Sequence, residues 1–263
     1  MMGRYRWLIA SSVLLALPDP TLAQSVQERG HAIAMEADRW AGGYGDMRAR
    51  LTMVLRNRHG QERVREMRIW VLEGVTDGDR TLLVFDRPRD LSGTALLTHS
   101  NAGESDDQWL YLPALKRVKR IAPSGQSGSF IGSEFAYEDI GSQEVEKYRF
   151  RLDGERTLDG VDCQVVERVP LDSSSGYSRQ LVWIDREAYR VQKIEYYDRE
   201  GRHLKTLRLV GFRRYLDEHW RPDEMQMVNH QTGKSTTIVW REYEFGTGLS
   251  ERDFDRSALR RIG

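Results

Sequence analysis

Apolar residues recur near the start of the chain at the spacing of an amphipathic helix. The residues on this face are Val26, Ile33, Ala37 and Trp40. Ser25, with Glu28 three residues later, has the pattern of a capping box. Gly42 follows the last apolar position, and glycine commonly ends a helix. The sequence therefore predicts a helix that begins at Ser25 and ends before Gly42.

From Met47 onward the period changes to two, as in strands with one dry face and one wet face. Turn sequences such as Asp77-Gly78 and Asp159-Gly160 separate many of these segments. After the segment at Met47, the alternation returns at residues 66–72, 80–85, 93–99, 108–112, 118–121, 148–152, 163–169, 180–184, 190–197, 204–212, 224–229 and 235–245. Ser250 followed by Asp253 predicts a short closing helix.

About eleven to thirteen antiparallel strands with few helices predict a mainly β fold, either a large curved sheet or a barrel. Its dry face must be filled by its own side chains, by a covering helix or by a ligand. The amphipathic N-terminal helix is a natural cover. No linker of low complexity divides the chain, so we expect one domain.

The first residues have the pattern of a secretory signal peptide. Arg4 and Arg6 precede an apolar run over residues 7–17, and the small residues Thr21 and Ala23 fit a cleavage site. That run is about eleven residues, short of the roughly 20 that span a bilayer. We therefore predict a signal peptide over 1–23, cleavage after Ala23, and an exported domain over 24–263.

Charge and cysteine content narrow the function classes. The 40 Lys and Arg residues balance the 40 Asp and Glu residues, so no long-range attraction to nucleic acid is expected. The single Cys163 cannot form an internal disulfide, and export predicts a buried, unpaired thiol. Charged residues make up 30% of a chain that also has 7 Trp, 11 Tyr and 7 Phe. This combination indicates a sheet that is charged outside and aromatic inside.

Candidate catalytic and metal sites are weak. The six histidines have no metal-ligand spacing, so we expect no metal; we also expect no cofactor. His219 is predicted to lie in a solvated turn. Residues 125–129 (GQSGS) fail the pattern of a nucleophile elbow. The adjacent acids Asp106-Asp107 and Glu138-Asp139 would point to opposite faces of a strand, so turn capping is favoured over acid–base catalysis.

Two further segments each allow two interpretations. Residues 116–120 (KRVKR) fit either a protected edge strand or a contact for an acidic partner or an anionic lipid headgroup. The charged residues of this basic run are Lys116, Arg117, Lys119 and Arg120. Residues 124–133 are rich in Gly and Ser but contain Phe130 and Ile131. This loop is either a plug in the core or a mobile apolar flap.

Three blocks of the sequence resemble the LolA-like family of outer-membrane lipoprotein-sorting proteins. They are residues 90–99 (DLSGTALLTH), 107–121 (DQWLYLPALKRVKRI), and 127–130 (SGSF) running on to 135–139 (FAYED). The resemblance implies an incomplete antiparallel β-barrel of about 11 strands, with an N-terminal helix and lid elements covering a hydrophobic cavity. It also implies a periplasmic location in Gram-negative bacteria.

The resemblance further implies a carrier that moves lipid or lipoprotein acyl chains between the inner and outer membranes. The three blocks resemble a broader subfamily that is associated with lipid-exporting transporters of the resistance-nodulation-division type. This resemblance implies such a transporter in the inner membrane as the partner. The cargo is a lipoprotein or a phospholipid, sterol-like or hopanoid-like lipid, and we expect a monomer with transient membrane contact. Large, adaptable side chains suit such a cavity. The candidates are Trp70, Leu72, Trp109, Tyr111, Phe135 and Tyr137, with Phe130 and Ile131 as the lid.

Two other functions stay open at this point. One is a lipid hydrolase that uses a serine such as Ser129 with His99, because catalytic triads are recognised by geometry rather than by order. The other is an envelope interaction protein whose barrel is filled by its own side chains.

Overall fold

The computed structural model describes residues 20–74 and 78–261. Most of the predicted signal peptide lies outside these residues. Helix α1 runs from Pro20 to Ala41, so it begins before the predicted start and contains Ser25 in its interior. Proline fits this start because the first turn of a helix needs no N–H donor. Among the residues described, no helix combines the length and the apolar character needed to cross a membrane.

In this part of the chain, fifteen strands follow α1. They are β1 Asp46–Arg56, β2 Glu62–Leu72, β3 Arg80–Arg87, β4 Ala95–His99, β5 Asp107–Leu112, β6 Arg117–Ile121, β7 Tyr148–Leu158, β8 Val161–Pro170, β9 Arg179–Asp185, β10 Val191–Tyr197, β11 His203–Val210, β12 Arg213–Tyr215, β13 His219–Arg221, β14 Glu224–Asn229 and β15 Ser235–Phe245. Each alternating segment of the sequence falls on one strand.

Thirteen strands form one antiparallel sheet, and β12 with β13 forms a separate hairpin. The order across the main sheet is β6-β5-β4-β3-β2-β1-β15-β14-β11-β10-β9-β8-β7. The fold is mainly β and the sheet is open, since β6 and β7 are its two edges. Thirteen is the upper end of the range that the alternation predicts, and it exceeds the about eleven strands that the resemblance implies. The hairpin is missed because its strands are three residues each.

The sheet wraps around one buried cluster. On β2, Met67, Ile69 and Val71 face this inner cluster, and strands from both halves of the sheet contribute to it. The alternate residues of β2, Trp70 and Leu72, contact a second cluster on the outer face. We call these the inner face and the outer face.

The C-terminal segment covers part of the outer face. It forms two short 3₁₀ helices, Glu251–Phe254 and Ala258–Arg261, and the first confirms the predicted closing helix. Ser250 and Asp253 cap it reciprocally. Phe254 and Leu259 insert into the outer cluster.

Residues 122–147 cross the inner face between β6 and β7. They contain the short helix α2 (Pro123–Gln126) and the 3₁₀ helices Phe130–Gly132, Tyr137–Asp139 and Val145–Lys147. A buried ion pair holds this segment, because the Lys205 Nζ lies 2.6 Å from the Asp139 carboxylate. The Tyr177 hydroxyl donates to the same carboxylate at 2.9 Å, as does the Ala136 N–H at 2.7 Å.

Helix α1 lies against the edge strand β7 and is seated there by Gly30. A Cβ atom on Gly30 would lie 2.6 Å from both the Arg151 carbonyl carbon and the Leu152 nitrogen. Real Cβ atoms do not approach backbone atoms so closely, so only glycine allows this contact. Ile33 and Ala34 of the same helix are buried in the inner cluster.

The Gly30→Ala variant tests this close contact between α1 and β7. We expect the free energy of unfolding to fall by about 1 to 2 kcal/mol, because backbone overpacking outweighs the roughly 1 kcal/mol gained in helix propensity. Urea unfolding followed by circular dichroism measures it. Gly125→Ala is the matched control, since its Cβ would make an ordinary 3.6 Å contact with Ile121. Equal changes in the free energy of unfolding of the two variants would contradict a close contact at Gly30.

Candidate functional site

A cavity of about 1090 Å³ lies between α1 and the inner face of the sheet. Its floor is aliphatic and aromatic, and comes from β7 to β10 and β14. The apolar residues that line it include Ala34, Ala37, Phe150, Val166, Val182, Ile184, Val191 and Met225. Because these side chains carry no hydrogen-bonding groups, the floor suits an apolar ligand. We call this space the inner cavity.

Charged residues surround the mouth of the inner cavity, where the loop after α1 meets the end of β2. The two carboxylate oxygens of Glu73 accept hydrogen bonds from the Gly43 N–H at 2.9 Å and the Gly45 N–H at 2.6 Å. Glu73 therefore fixes the loop that follows the helix. Arg221 donates to the Ala41 carbonyl oxygen at 2.9 Å, which ties the same helix end to β13.

Asp79 stands at this mouth, and its pKa is raised to about 6. Burial is the main cause, and the neighbouring carboxylates of Glu144, Glu73 and Asp38 raise it further. The Gly74 N–H, 3.2 Å from the Asp79 carboxylate, acts in the opposite direction. A further negative charge at the mouth is therefore energetically unfavourable.

Arg168 extends from β8 into the wall of the inner cavity and is buried. Its Nε donates to the Gln180 side-chain oxygen at 2.7 Å, and its Nη2 lies 3.3 Å from the Gln143 Oε1. The Tyr148 hydroxyl donates to the same Gln143 oxygen at 2.6 Å, and the Arg168 guanidinium lies 4.5 Å from the Tyr148 ring centroid. Neutral partners therefore hold this arginine in place.

Lys147 forms a second polar cluster in the wall. Its Nζ lies 2.5 Å from the carboxylates of both Asp106 and Glu144. Burial raises the pKa of Asp106 despite the lysine. Burial also acts to raise the pKa of Glu144, but Lys147 outweighs it and holds that pKa below its usual value.

The structure places the predicted cavity residues away from the inner cavity. Trp70, Leu72, Trp109 and Tyr111 contact the outer cluster, on the side of the sheet opposite the inner cavity. Trp109 and Tyr111 alternate with inner-facing residues of β5 and pack beneath the C-terminal 3₁₀ helices. Phe135 lies on the inner face but is buried in the core, and Tyr137 packs against that core. None of these six residues lines the inner cavity.

The predicted lid residues are also packed into the core. Phe130 is fully buried, with its ring centroid 5.8 Å from that of Phe85 and 5.5 Å from that of Tyr137. Ile131 is partly buried against the same cluster. Neither residue borders the inner cavity. Of the two interpretations of residues 124–133, this placement favours the plug in the core, and α1 takes the covering position.

The basic run lies on the edge strand β6, as the protected-edge interpretation expects. Lys116, Arg117, Lys119 and Arg120 are all exposed. Arg120 pairs with Asp107, whereas Asp106 turns inward to Lys147. The two adjacent acids therefore do not act together. Glu138 and Asp139 are also separated, since Glu138 accepts hydrogen bonds from Ser175 and the Gly176 N–H.

The proposed serine–histidine pair is not assembled. The Ser129 hydroxyl donates to the Ser133 carbonyl oxygen at 2.6 Å, and it precedes Phe130 on the inner side. His99 lies on the outer side, with its Nε2 2.8 Å from the Phe254 carbonyl oxygen and its ring against Trp109. In the part of the chain that the structure describes, no group of three or more His, Cys, Asp or Glu residues could hold a metal ion.

Two single-residue predictions have clear outcomes. Cys163 is buried and unpaired, as expected. His219 is not in a solvated turn: it begins β13, is buried, and packs against the rings of Tyr44 and Phe245. Because the neighbours of His219 in the sequence are polar, the pattern did not predict this short strand.

The residues that line the inner cavity carry a weaker sequence signal than the aromatic candidates. Ala34 and Ala37 lie on the buried face of α1, three residues apart, and Val166, Val182 and Ile184 occupy alternating positions in β8 and β9. Small and aliphatic residues beneath a helix leave space, whereas large aromatic residues fill it. That contrast is the signal that could have identified them.

Comparison with known proteins agrees with this architecture. A family model described as "uncharacterized protein" matches residues 77–261. The chain is 49% identical to an outer membrane lipoprotein-sorting protein domain from Vibrio parahaemolyticus, with a TM-score of 0.87 over 89% of this chain and 99% of that one. It is 31% identical to a DUF1329 family protein from Desulfovibrio piger, with a TM-score of 0.84 and the same coverage of both chains.

The chain belongs to the DUF1329 family. A LolA superfamily protein from Nitrosomonas europaea shares the fold of this DUF1329 protein, with a TM-score of 0.69 at 21% identity over 90% of this chain and 98% of that one. No match is found among curated proteins.

Asp79 gives the DUF1329 protein a predicted pH dependence. Because the pKa is higher in the folded state than the usual 3.8, the native state binds the proton more tightly than the unfolded state. The contribution of Asp79 to the free energy of unfolding should therefore decrease as the pH rises from about 4 to about 6, and stay constant above that range.

Asp79→Asn removes this titration. We expect the variant to be more stable than wild type by about 1 to 3 kcal/mol near pH 7, and equal to it near pH 4, as measured by urea unfolding at both values. Glu187→Gln, at an exposed position away from the cavity, should change stability equally at both pH values. A pH-independent effect of Asp79→Asn would contradict the assignment.

Proposed function

We propose that this protein is a periplasmic carrier that holds the acyl chains of a lipid or lipoprotein in the inner cavity. The observation that carries the proposal is the cavity of about 1090 Å³ beneath α1, whose floor is apolar. This volume is slightly above the roughly 300 to 1,000 Å³ that ligand sites usually occupy. The relative from Vibrio parahaemolyticus, described as an outer membrane lipoprotein-sorting protein, supports the same cargo class.

The physical demand on such a carrier is large. An acyl chain of about fifteen methylenes costs about 12 kcal/mol when it is transferred to water, at roughly 0.8 kcal/mol for each methylene. A dry cavity offsets this cost without any covalent chemistry. Loading and release then require only that the cover moves, and we assign that movement to α1.

Export and transfer complete the proposal. Residues 1–23 are a signal peptide cleaved after Ala23, and residues 24–263 act as one lipid-binding domain and as a monomer. Cargo passes between an inner-membrane transporter of the resistance-nodulation-division type and the outer membrane. The exposed basic residues Lys116, Arg117 and Lys119 of the β5–β6 edge supply a contact for an acidic partner or for anionic lipid headgroups during transient docking.

A matched pair of tryptophan substitutions in α1 tests the cavity. Ala37 faces the inner cavity, whereas Ala32 is exposed on the other side of the same helix. Ala37→Trp should fill the space and weaken binding of the neutral probe N-phenyl-1-naphthylamine by about tenfold or more, roughly 1.4 kcal/mol. The measurement is a fluorescence titration of the purified protein.

Ala32→Trp adds the same side chain without entering the cavity, so it should bind the probe as the wild type does. Circular dichroism and urea unfolding confirm that both variants are folded. Undiminished binding by a folded Ala37→Trp variant would place the ligand elsewhere and contradict the carrier proposal.

A further inference from the structure

A second cavity, of about 610 Å³, lies beside the inner cavity. It is formed between the start of β5, residues 138–148 and the loop after β8. Its lining is polar, with side-chain hydroxyl, amide and carboxylate groups from Asn101, Ser105, Asp106, Gln126, Glu138 and Ser175. We call it the polar cleft.

The polar cleft and the inner cavity adjoin each other. Ser142 and Gln143 line both spaces. Lys147 joins them as well, since its Nζ lies 2.5 Å from Asp106 in the polar cleft and 2.5 Å from Glu144 in the inner cavity. An apolar space beside a polar one matches an amphiphile, whose tail and headgroup require different surroundings.

The charge of the polar cleft restricts the headgroup. Five carboxylates line it, from Glu104, Asp106, Asp107, Glu138 and Asp172, against two cations, Lys147 and Arg120. Both cations are already paired, Lys147 with Asp106 and Glu144, and Arg120 with Asp107. A phosphate or carboxylate headgroup would therefore meet net negative charge and no free cation from these residues.

The buried carboxylates strengthen this restriction. Burial raises the pKa of both Asp106 and Glu138, so each already bears the cost of its own charge. Ser105 and Ser175 donate to carboxylates at the edge of the cleft, to Asp172 at 2.5 Å and Glu138 at 2.7 Å. Hydroxyl groups can exchange into such a network because each one both donates and accepts.

We propose that the polar cleft binds the headgroup of the carried lipid, and that this headgroup is uncharged and rich in hydroxyl groups. This inference rests on the proposed function, because the tail must occupy the inner cavity for the headgroup to reach the polar cleft. It identifies the cargo as a lipid with a sugar or polyol headgroup in preference to an anionic one.

Three amphiphiles with the same dodecyl-length chain test the headgroup. They are dodecyl maltoside, the anionic lauroyl lysophosphatidylglycerol and the cationic dodecyltrimethylammonium, each below its micelle concentration. The measurement is displacement of N-phenyl-1-naphthylamine from the mature protein. We expect dodecyl maltoside to displace the probe at a concentration about tenfold lower than either charged amphiphile. The anionic headgroup meets the net negative charge of the cleft, and the trimethylammonium group can neither donate nor accept a hydrogen bond in the hydroxyl and carboxylate network.

A matched pair of arginine substitutions locates the selectivity. Ser173 is exposed and lines the polar cleft, whereas Ser257 is exposed on the outer side of the sheet. Ser173→Arg should reduce the preference for maltoside over lysophosphatidylglycerol to less than about threefold, because it adds a free cation. Ser257→Arg should retain the wild-type preference.

The outcomes separate the inference from the proposed function. Equal displacement by all three amphiphiles, or tightest binding of a charged one, would overturn the headgroup inference and leave the carrier intact. Unchanged selectivity in Ser173→Arg would also overturn it. Displacement by none of them would overturn the carrier proposal together with the inference.

Discussion

The rest of the structure depends on how the inner face of a wide, open sheet is kept from water. Thirteen strands curve around one apolar cluster without closing, so the chain must supply covers of its own. It supplies two, residues 122–147 and helix α1. The first fills the space above the sheet with Phe130 and Phe135, and the second spans the inner cavity.

The difference between the two covers follows from how they are held. Residues 122–147 are fixed by the buried pair of Asp139 and Lys205, and removing one partner of such a pair typically costs about 3 to 5 kcal/mol. Helix α1 is held by apolar packing, by the close contact at Gly30, and by Glu73 at its C-terminal loop. A cover without a buried ion pair separates from the sheet at lower cost, which is why we assign the movement to α1.

Much of the fold could be predicted from the sequence. The period of two located every strand of the main sheet, because one face of each strand is drier than the other. Alternation does not say which face is the inner one, however. Trp70 and Trp109 were expected to line a cavity, but they lie on the outer face, which is also dry because Phe254 and Leu259 cover it.

The candidate site was less predictable, because the cavity arises where side chains do not fill the space beneath α1. No distinctive residue type marks it. Ala37, Val166 and Ile184 are ordinary core residues in sequence, and only the position of α1 above them creates a cavity. The Glu138-Asp139 pair likewise has the sequence of a turn motif. Its partners, Ser175, Tyr177 and Lys205, are distant in sequence and come together only in the folded sheet.

If the space beneath α1 is a binding cavity and not a packing defect, the mature protein should carry lipid. Native mass spectrometry of the protein, purified from the periplasm of a Gram-negative host without detergent, tests this most directly. We expect one lipid bound to each chain, released when the protein is unfolded. A protein of bare mass that takes up no lipid when incubated with membrane extract would contradict the carrier function.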